Sequence, residues 1–250
     1  MLKQLFLIDE HSLVTDIVAR DYRAADVFRR YDIEFCCGGR RPLHVACEIR
    51  GVDTGRVKDE LEQALRIIQV SPTLPFDEWP LDFLADYIVH VHHAYLRKAL
   101  PDAKEHLAKF ALGHRKKYIY LDDLEKTFSD LAALLMPHLQ HEEEIIFPYI
   151  KRINRAYREK ESYAPLLVRT LRKPVQQTVE QENKMVEAIF YRFRVLTDNY
   201  TVPENACISH RVTFNKLREL DNDMLQHIYL ESDILFRKAM DIEKELLQSS

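Results

Sequence analysis

The residues best suited to chemistry form one short pattern written twice, His138-Leu-Gln-His-Glu142 and His227-Ile-Tyr-Leu-Glu231. Each copy places an imidazole and a carboxylate at i and i+4, one turn apart on a single helix face. The apolar context repeats too. Ile145, Ile146 and Phe147 follow the first histidine at the spacing at which Ile234, Leu235 and Phe236 follow the second. Neutral imidazole nitrogen binds a borderline divalent metal, and a carboxylate adds negative charge and can bridge two metals, so the set suits non-haem iron. Two such helices facing each other in a bundle could hold a binuclear centre. A single His-x-x-x-Glu is usually a solvated surface pair; the second copy in a matching apolar frame makes this a duplicated metal half-site.

Further candidate ligands precede the first copy. His90, His92 and His93 stand just before Tyr95 and Leu100-Pro101. The apolar stripe Leu84, Ile88, Val91 and Tyr95 puts His92 near its centre and His93 at its margin, so periodicity leaves the choice between them open. A second reactive pair is Cys36-Cys37. Adjacent Cα atoms lie about 3.8 Å apart, short of the roughly 4.4–6.8 Å that disulfides usually span, so a bond between these neighbours would be strained. Gly38 and Gly39 permit a sharp corner beside them. Paired thiols there suit exchange with a partner, ligation of transferred iron or a link between chains better than they suit a dry core. The remaining cysteines, Cys47 and Cys207, are isolated, so the four make no secreted disulfide framework.

The elements that must position these groups are helices. Four of the five glycines fall in the first quarter, and only Gly113 lies beyond. The long body rich in Leu, Lys, Glu, Ala and Arg favours long helices, and no run of alternating β-branched residues suggests a sheet. Pro72, Pro75 and Pro80 mark a boundary. The chain is therefore all-α, with a small helical domain over 1–72 carrying the Cys-Cys-Gly-Gly motif and a metal-binding four-helix bundle over 80–250. In the small domain, Val14 to Arg20 and Ala24 to Tyr31 read as short helices and Pro42 to Ile49 opens another. Thr54 caps a further helix with apolar positions Val57, Leu61, Leu65 and Ile68. The bundle helices are expected at approximately 80–99, 119–155, 163–198 and 204–246. A long connection containing His106, Gly113 and His114 joins the first two, and Pro137 and Pro148 are expected to bend the second.

A net charge of −4 gives no broad attraction for nucleic acid or acidic lipid. The longest apolar stretches, such as Leu5 to Ile8, fall far short of a membrane span or secretion signal. A cytoplasmic protein with neither nucleic-acid nor membrane partners is expected.

The stretch from Asp21 to Gly39, ending Ile-Glu-Phe-Cys-Cys-Gly-Gly, resembles the N-terminal signature of the iron–sulfur cluster repair di-iron proteins, also called regulators of cell morphogenesis and nitric oxide signalling. The His-His-Ala-Tyr segment, both His-x-x-x-Glu repeats and Glu-Glu-Ile-Ile-Phe-Pro-Tyr-Ile resemble the hemerythrin-like domain of that family. The resemblance implies a non-haem di-iron centre with histidine ligands at His93, His138 and His227 and bridging carboxylates at Glu142 and Glu231. Counting back without a gap from Leu100-Pro101 favours His93 over His92. The family's fourth histidine, in a Glu-x-Glu-His pattern, is matched here by Glu180-Gln-Glu182-Asn183. Asn183 therefore stands where an imidazole is expected. An amide oxygen is the weaker donor, which implies one loosely held iron, with Glu182 or a water as the substitute ligand. The resemblance further implies repair of damaged iron–sulfur proteins, with iron donation or chemistry on NO or O2, and Cys36 and Cys37 as redox or iron-transfer thiols. It allows a homodimer, although no coiled-coil seam marks one. A hemerythrin-like gas sensor is the competing reading. A structural zinc site fits less well, because it normally closes on four ligands and has no use for two bridging carboxylates.

Overall fold

The computed structural model describes residues 8–36, 40–65 and 74–248, with the backbone only over 171–180. Among these, the regular structure is helical, and one isolated bridge joins Leu13 to Pro42. The small domain contains α1 (Val14–Arg20), α2 (Ala24–Arg30), α3 (Leu43–Arg50) and α4 (Thr54–Ala64). These short helices persist because they share one core, with Ile17, Val27, Phe28, Leu43, Val57 and Leu61 all fully buried. Gly51, at φ 65°, ends α3 in the left-handed conformation, its N–H returning to Glu48 and that of Val52 to Cys47. Asp53, not Thr54, caps α4: its carboxylate accepts the Arg56 N–H at 2.7 Å. Cys37, Gly38, Gly39 and Ile68 lie outside the described residues.

Four long rods follow. The first runs through α5 (Leu81–Tyr87), a π-helical turn (Ile88–His93) and α6 (Ala94–His114). The second comprises α7 (Leu121–His141), a π turn (Glu142–Ile146) and α8 (Phe147–Arg158). The third is α9 (Ala164–Leu196). The fourth comprises α10 (Ile208–Tyr229), a π turn (Leu230–Leu235) and α11 (Phe236–Gln248).

The first rod corrects the expected long connection. Pro101 does not stop it, and His106 and Gly113 lie on the continuing helix, with His114 as its last residue. A proline inside a helix costs about 3 kcal/mol. Ala103, Leu107, Phe110 and Ala111 are all buried on the far side of it, and burial worth about 1.5–3 kcal/mol for each large side chain outweighs that cost. In the second rod Pro137 lies inside α7, while Pro148 is the second residue of α8, directly after the π turn.

Two apolar clusters fill the bundle end to end. One holds Leu96 to Phe110, Leu124 to Leu139, Val186 to Phe193 and Phe214 to Met224; the other holds Leu81 to Ile88, Ile146 to Ile153, Ala164 and Val168, and Leu230 to Leu246. In every rod the candidate ligands lie where one cluster gives way to the other, so a polar belt divides two dry cores.

The small domain docks on α6 and α10. Val212 joins its core, and Asp26 bonds both His106 at 3.2 Å and the buried Lys216 at 2.8 Å. Arg29 pairs with Asp102 and Glu105, and Tyr22 donates to Glu219 at 3.1 Å.

Candidate metal centre

Three of the four rods carry a π-helical turn at the level of the polar belt. A π turn accommodates an extra residue, and so shifts the buried face by one residue's rotation, about 100°. The first rod shows the consequence. His92 continues the face of Leu84 and Ile88, whereas His93 begins the face of Leu96 and Leu100. Both are buried, at 1% and 0% exposure, while Val91 of the expected stripe is 42% exposed. The two histidines then have different surroundings. His92 Nδ1 meets Asp223 at 3.0 Å, and His93 enters the ligand group.

His93, Glu142, His227 and Glu231 each offer an atom within 4.8 Å of the others, and all four are buried. His93 Nε2 lies 3.2 Å from His227 Nε2, which is 2.8 Å from Glu231 Oε1. His93 Nε2 also lies 3.5 Å from Glu142 Oε2. Glu142 faces the other imidazole of its own repeat as well, with Oε1 3.3 Å from His138 Nε2. Bonds of about 2.0–2.2 Å from nitrogen or carboxylate oxygen to a dication such as zinc place opposed ligand atoms about 4.2 Å apart, so the group has metal-site dimensions.

Partners behind the imidazoles fix their orientation. His93 Nδ1 bonds Glu143 at 2.7 Å, and Arg97 holds that carboxylate from the other side at 2.8 Å. His138 Nδ1 bonds Glu182 Oε2 at 2.7 Å. In each case Nδ1–H is committed to a carboxylate and Nε2 is left as the donor atom for a metal, an arrangement common behind ligating histidines.

The electrostatics point the same way. Burial and the neighbouring Glu231 push Glu142 well above the usual carboxylate range. Burial pushes Glu231 up too, but His227, His138 and His93 outweigh it and hold that carboxyl below its ordinary value. Burial, with His227 alongside, brings His93 down to about 4, so it stays neutral and able to ligate. Both oxygens of Glu142, Glu231 Oε2, His138 Nε2 and His227 Nδ1 are buried without a hydrogen-bond partner. Unsatisfied buried polar atoms cost about 1–3 kcal/mol each. A concentration of them on imidazoles and carboxylates fits a cation, which lets both carboxylates ionise.

Two family models match the chain: the ScdA_N domain, described as of unknown function, over residues 10–65, and the hemerythrin HHE cation-binding domain over residues 84–239. The chain is 30% identical to the iron-sulfur cluster repair protein YtfE of Edwardsiella ictaluri over 220 residues, covering 87% of this chain and 91% of that protein. Similarity to the iron-sulfur cluster repair protein ScdA of Staphylococcus haemolyticus is 26% over 232 residues, 93% of this chain and 99% of that protein. YtfE of Escherichia coli O157:H7 is 28% identical over 218 residues, covering 87% and 91%. This chain belongs to the iron–sulfur cluster repair protein family.

Of the ligands expected from the family resemblance, the structure brings together His93, His227, Glu142 and Glu231, with His138 against Glu142. Asn183 lies beside Glu182 on α9 and is 5% exposed. Its amide nitrogen donates to Ser232 Oγ at 3.4 Å, and its Oδ1 is buried without a partner. Glu182, considered from the sequence as a substitute ligand, is occupied with His138 Nδ1 instead. Cys36 is half-buried at the edge of the small domain, away from the belt. Sequence reasoning missed Glu143 and Asp223 as partners of His93 and His92. Glu143 carried a signal, since it directly follows the first repeat; Asp223 carried none. Among the described residues no helix is long and apolar enough to cross a membrane.

Proposed function

We propose that this protein is a cytoplasmic di-iron protein that takes part in repairing iron–sulfur clusters damaged by oxidative or nitrosative stress. The observation that carries the reading is the dry cluster of His93, His227, Glu142 and Glu231 with His138 beside it, in a chain whose relatives are named iron-sulfur cluster repair proteins. Those names favour repair over reversible gas sensing.

His93 and His227 would hold one iron and His138 the other, with Glu142 and Glu231 serving both. Bound iron would supply a redox-active Lewis acid with a position open to NO or O2. The chain's residues do the rest. Glu143 and Glu182 keep Nδ1 of His93 and His138 protonated, so that each presents Nε2 to the pocket. The apolar clusters on either side exclude water. Asn183 offers a neutral amide where the family has an imidazole, so the His138 side binds iron more weakly and is the side that releases it to a damaged cluster. Cys36 and Cys37 are the thiols proposed to pass iron or electrons to the client protein.

The test is iron analysis of protein purified anaerobically, followed by chelator competition and by reactivation of an NO-damaged [4Fe–4S] dehydratase. One firmly held and one readily removed iron per chain is expected, with reactivation lost in Glu142→Gln. Asn183→His should slow release of the labile iron. Two equally tight irons in the unaltered protein, or repair activity unaffected by Glu142→Gln, would overturn the proposal.

A further inference from the structure

At the far end of the bundle, a second group of reactive side chains meets where the small domain touches the rods. Cys207 is the N-cap residue of α10, a helix of 22 residues. Its Sγ lies 3.3 Å from His114 Nε2, at the last turn of α6. His114 Nδ1 bonds the Phe110 carbonyl at 3.1 Å. A carbonyl only accepts, so Nδ1 carries the ring proton and Nε2 is the atom able to take one from the thiol. The Cys36 side chain, from the small domain, hydrogen-bonds Cys207. Both cysteines are half-buried, so a small reagent can reach them.

The surroundings favour a charged sulfur on Cys207. Its thiol is drawn from the ordinary value down to about 5, first by the hydrogen bond from Cys36, against burial, and then by the Ser209 and His210 amides and by His114. Those amides act as the positive end of the helix without a formal capping bond. Cys47 gives the contrast within the same chain: it is fully buried, and burial pushes its thiol up. The site is also remote from the metal belt. Nineteen helical steps separate Ile208 from His227, about 28 Å at 1.5 Å per residue.

We propose that Cys207 and Cys36 form a redox-active dithiol that exchanges with disulfides, with Cys207 as attacking thiolate, His114 as the base that takes its proton, and Cys36 as the thiol that closes the bond. The oxidised substrate is a disulfide RSSR, from a small molecule or a protein. Cys207 S⁻ attacks one sulfur, forming Cys207–S–S–R and releasing RS⁻. Cys36 then loses its proton, attacks Cys207 Sγ and releases the second RS⁻. The sum is two protein thiols plus RSSR giving one protein disulfide plus two RSH. The pair is oxidised and the substrate reduced; run backwards, the same steps oxidise a dithiol. The closed form would tie the small domain covalently to the start of α10.

Iodoacetamide labelling of the full-length, iron-loaded protein at pH 6, followed by peptide mass spectrometry, tests the first step. A thiol of pKa about 5 is roughly 300-fold more ionised there than one of pKa about 8.5. Its lower nucleophilicity returns about 1.6 decades of that gain, leaving Cys207 about sevenfold faster than glutathione. The Cys207 rate should stay level from pH 6 to 8 while that of glutathione climbs, and His114→Gln should lower the Cys207 rate at pH 6.

Anaerobic treatment with oxidised glutathione tests the second step. It should yield a Cys36–Cys207 peptide, and Cys36→Ser should trap glutathione on Cys207. Treatment of the same full-length protein with a disulfide-bonded peptide distinguishes a macromolecular from a small-molecule source. An ordinary pH profile at Cys207 in the unaltered protein overturns the proposal. So does oxidation that yields Cys36–Cys37 or interchain links in place of Cys36–Cys207. Both readouts use the unaltered chain and do not depend on any variant folding.

Discussion

Changing Glu182 separates the two sides of the proposed centre more cleanly than changing a ligand, because Glu182 touches one imidazole and sits outside the ligand group. Its Oε2 accepts from His138 Nδ1 at 2.7 Å; His138 is fully buried, whereas Glu182 is 25% exposed. Partners of this kind are worth 10–100-fold in metal affinity, about 1.4–2.7 kcal/mol. Glu182→Gln keeps an acceptor oxygen and removes only the charge, and the exposure of Glu182 screens part of that charge. The loss should therefore sit near tenfold. Glu182→Ala removes charge and acceptor together and should approach 100-fold. The assay is chelator competition on anaerobically loaded protein, resolving two release phases by absorbance, with far-ultraviolet circular dichroism as the fold control. The labile phase should accelerate and the slow phase hold still. Glu143→Gln, behind His93, should do the reverse. If both variants weaken both phases alike, the two irons share one determinant and the assignment of separate sides is wrong.

Glu142→Gln should abolish loading at both positions yet leave the metal-free protein as stable or more so, because it exchanges a buried, unpartnered carboxyl for a neutral amide whose N–H can donate to the unpartnered His138 Nε2, 3.3 Å from Oε1; metal analysis and a melt of the stripped protein check it, and a clear fall in that melt would contradict it. Burial pushes the Asp26 carboxyl up, but His106 and Lys216 overcome this and hold it at about 2 in the folded protein, against an ordinary 3.8. A depressed folded value contributes stability above the ordinary pKa and loses it as pH falls towards 2, here about 2 kcal/mol. Asp26→Asn should therefore destabilise at pH 7 by that order and flatten the acid limb of a urea-melt series between pH 4 and 2; an unchanged limb would refute the interface role. Pro101→Ala should raise the melting temperature, since it restores the missing helical hydrogen bond at an exposed position; a lower value would mean that the proline ring packs favourably.

Much of the site could be read in the chain because its chemistry is local. An imidazole and a carboxylate at i and i+4 share a face in any helix, so the pairing of His138 with Glu142 and of His227 with Glu231 needed no tertiary information. The short helices from Val14 and Ala24 were legible for a similar reason, since their apolar residues fall at helical spacing. The cap of α4 was placed one residue late. Asp53 and Thr54 are both good caps by type, and only the geometry of the turn selects the residue whose oxygen reaches the Arg56 N–H.

Sequence by itself determined the helical class and the duplicated His-Glu motif, because composition, periodicity and residue type are properties of the chain. Tertiary structure decided that the first rod runs through Pro101, because burial summed over distant partners exceeds one residue's propensity. It also set His93 beside Glu142 and His227 and turned His92 towards Asp223, because a π turn changes the phase of the helix in a way that strict periodicity does not encode. It alone joined His93 to Glu143 across two rods, and Cys207 to His114 and Cys36 across two rods and a domain boundary. Those contacts depend on how faces meet in space, and nothing in local spacing specifies which of many surface carboxylates or thiols will arrive there.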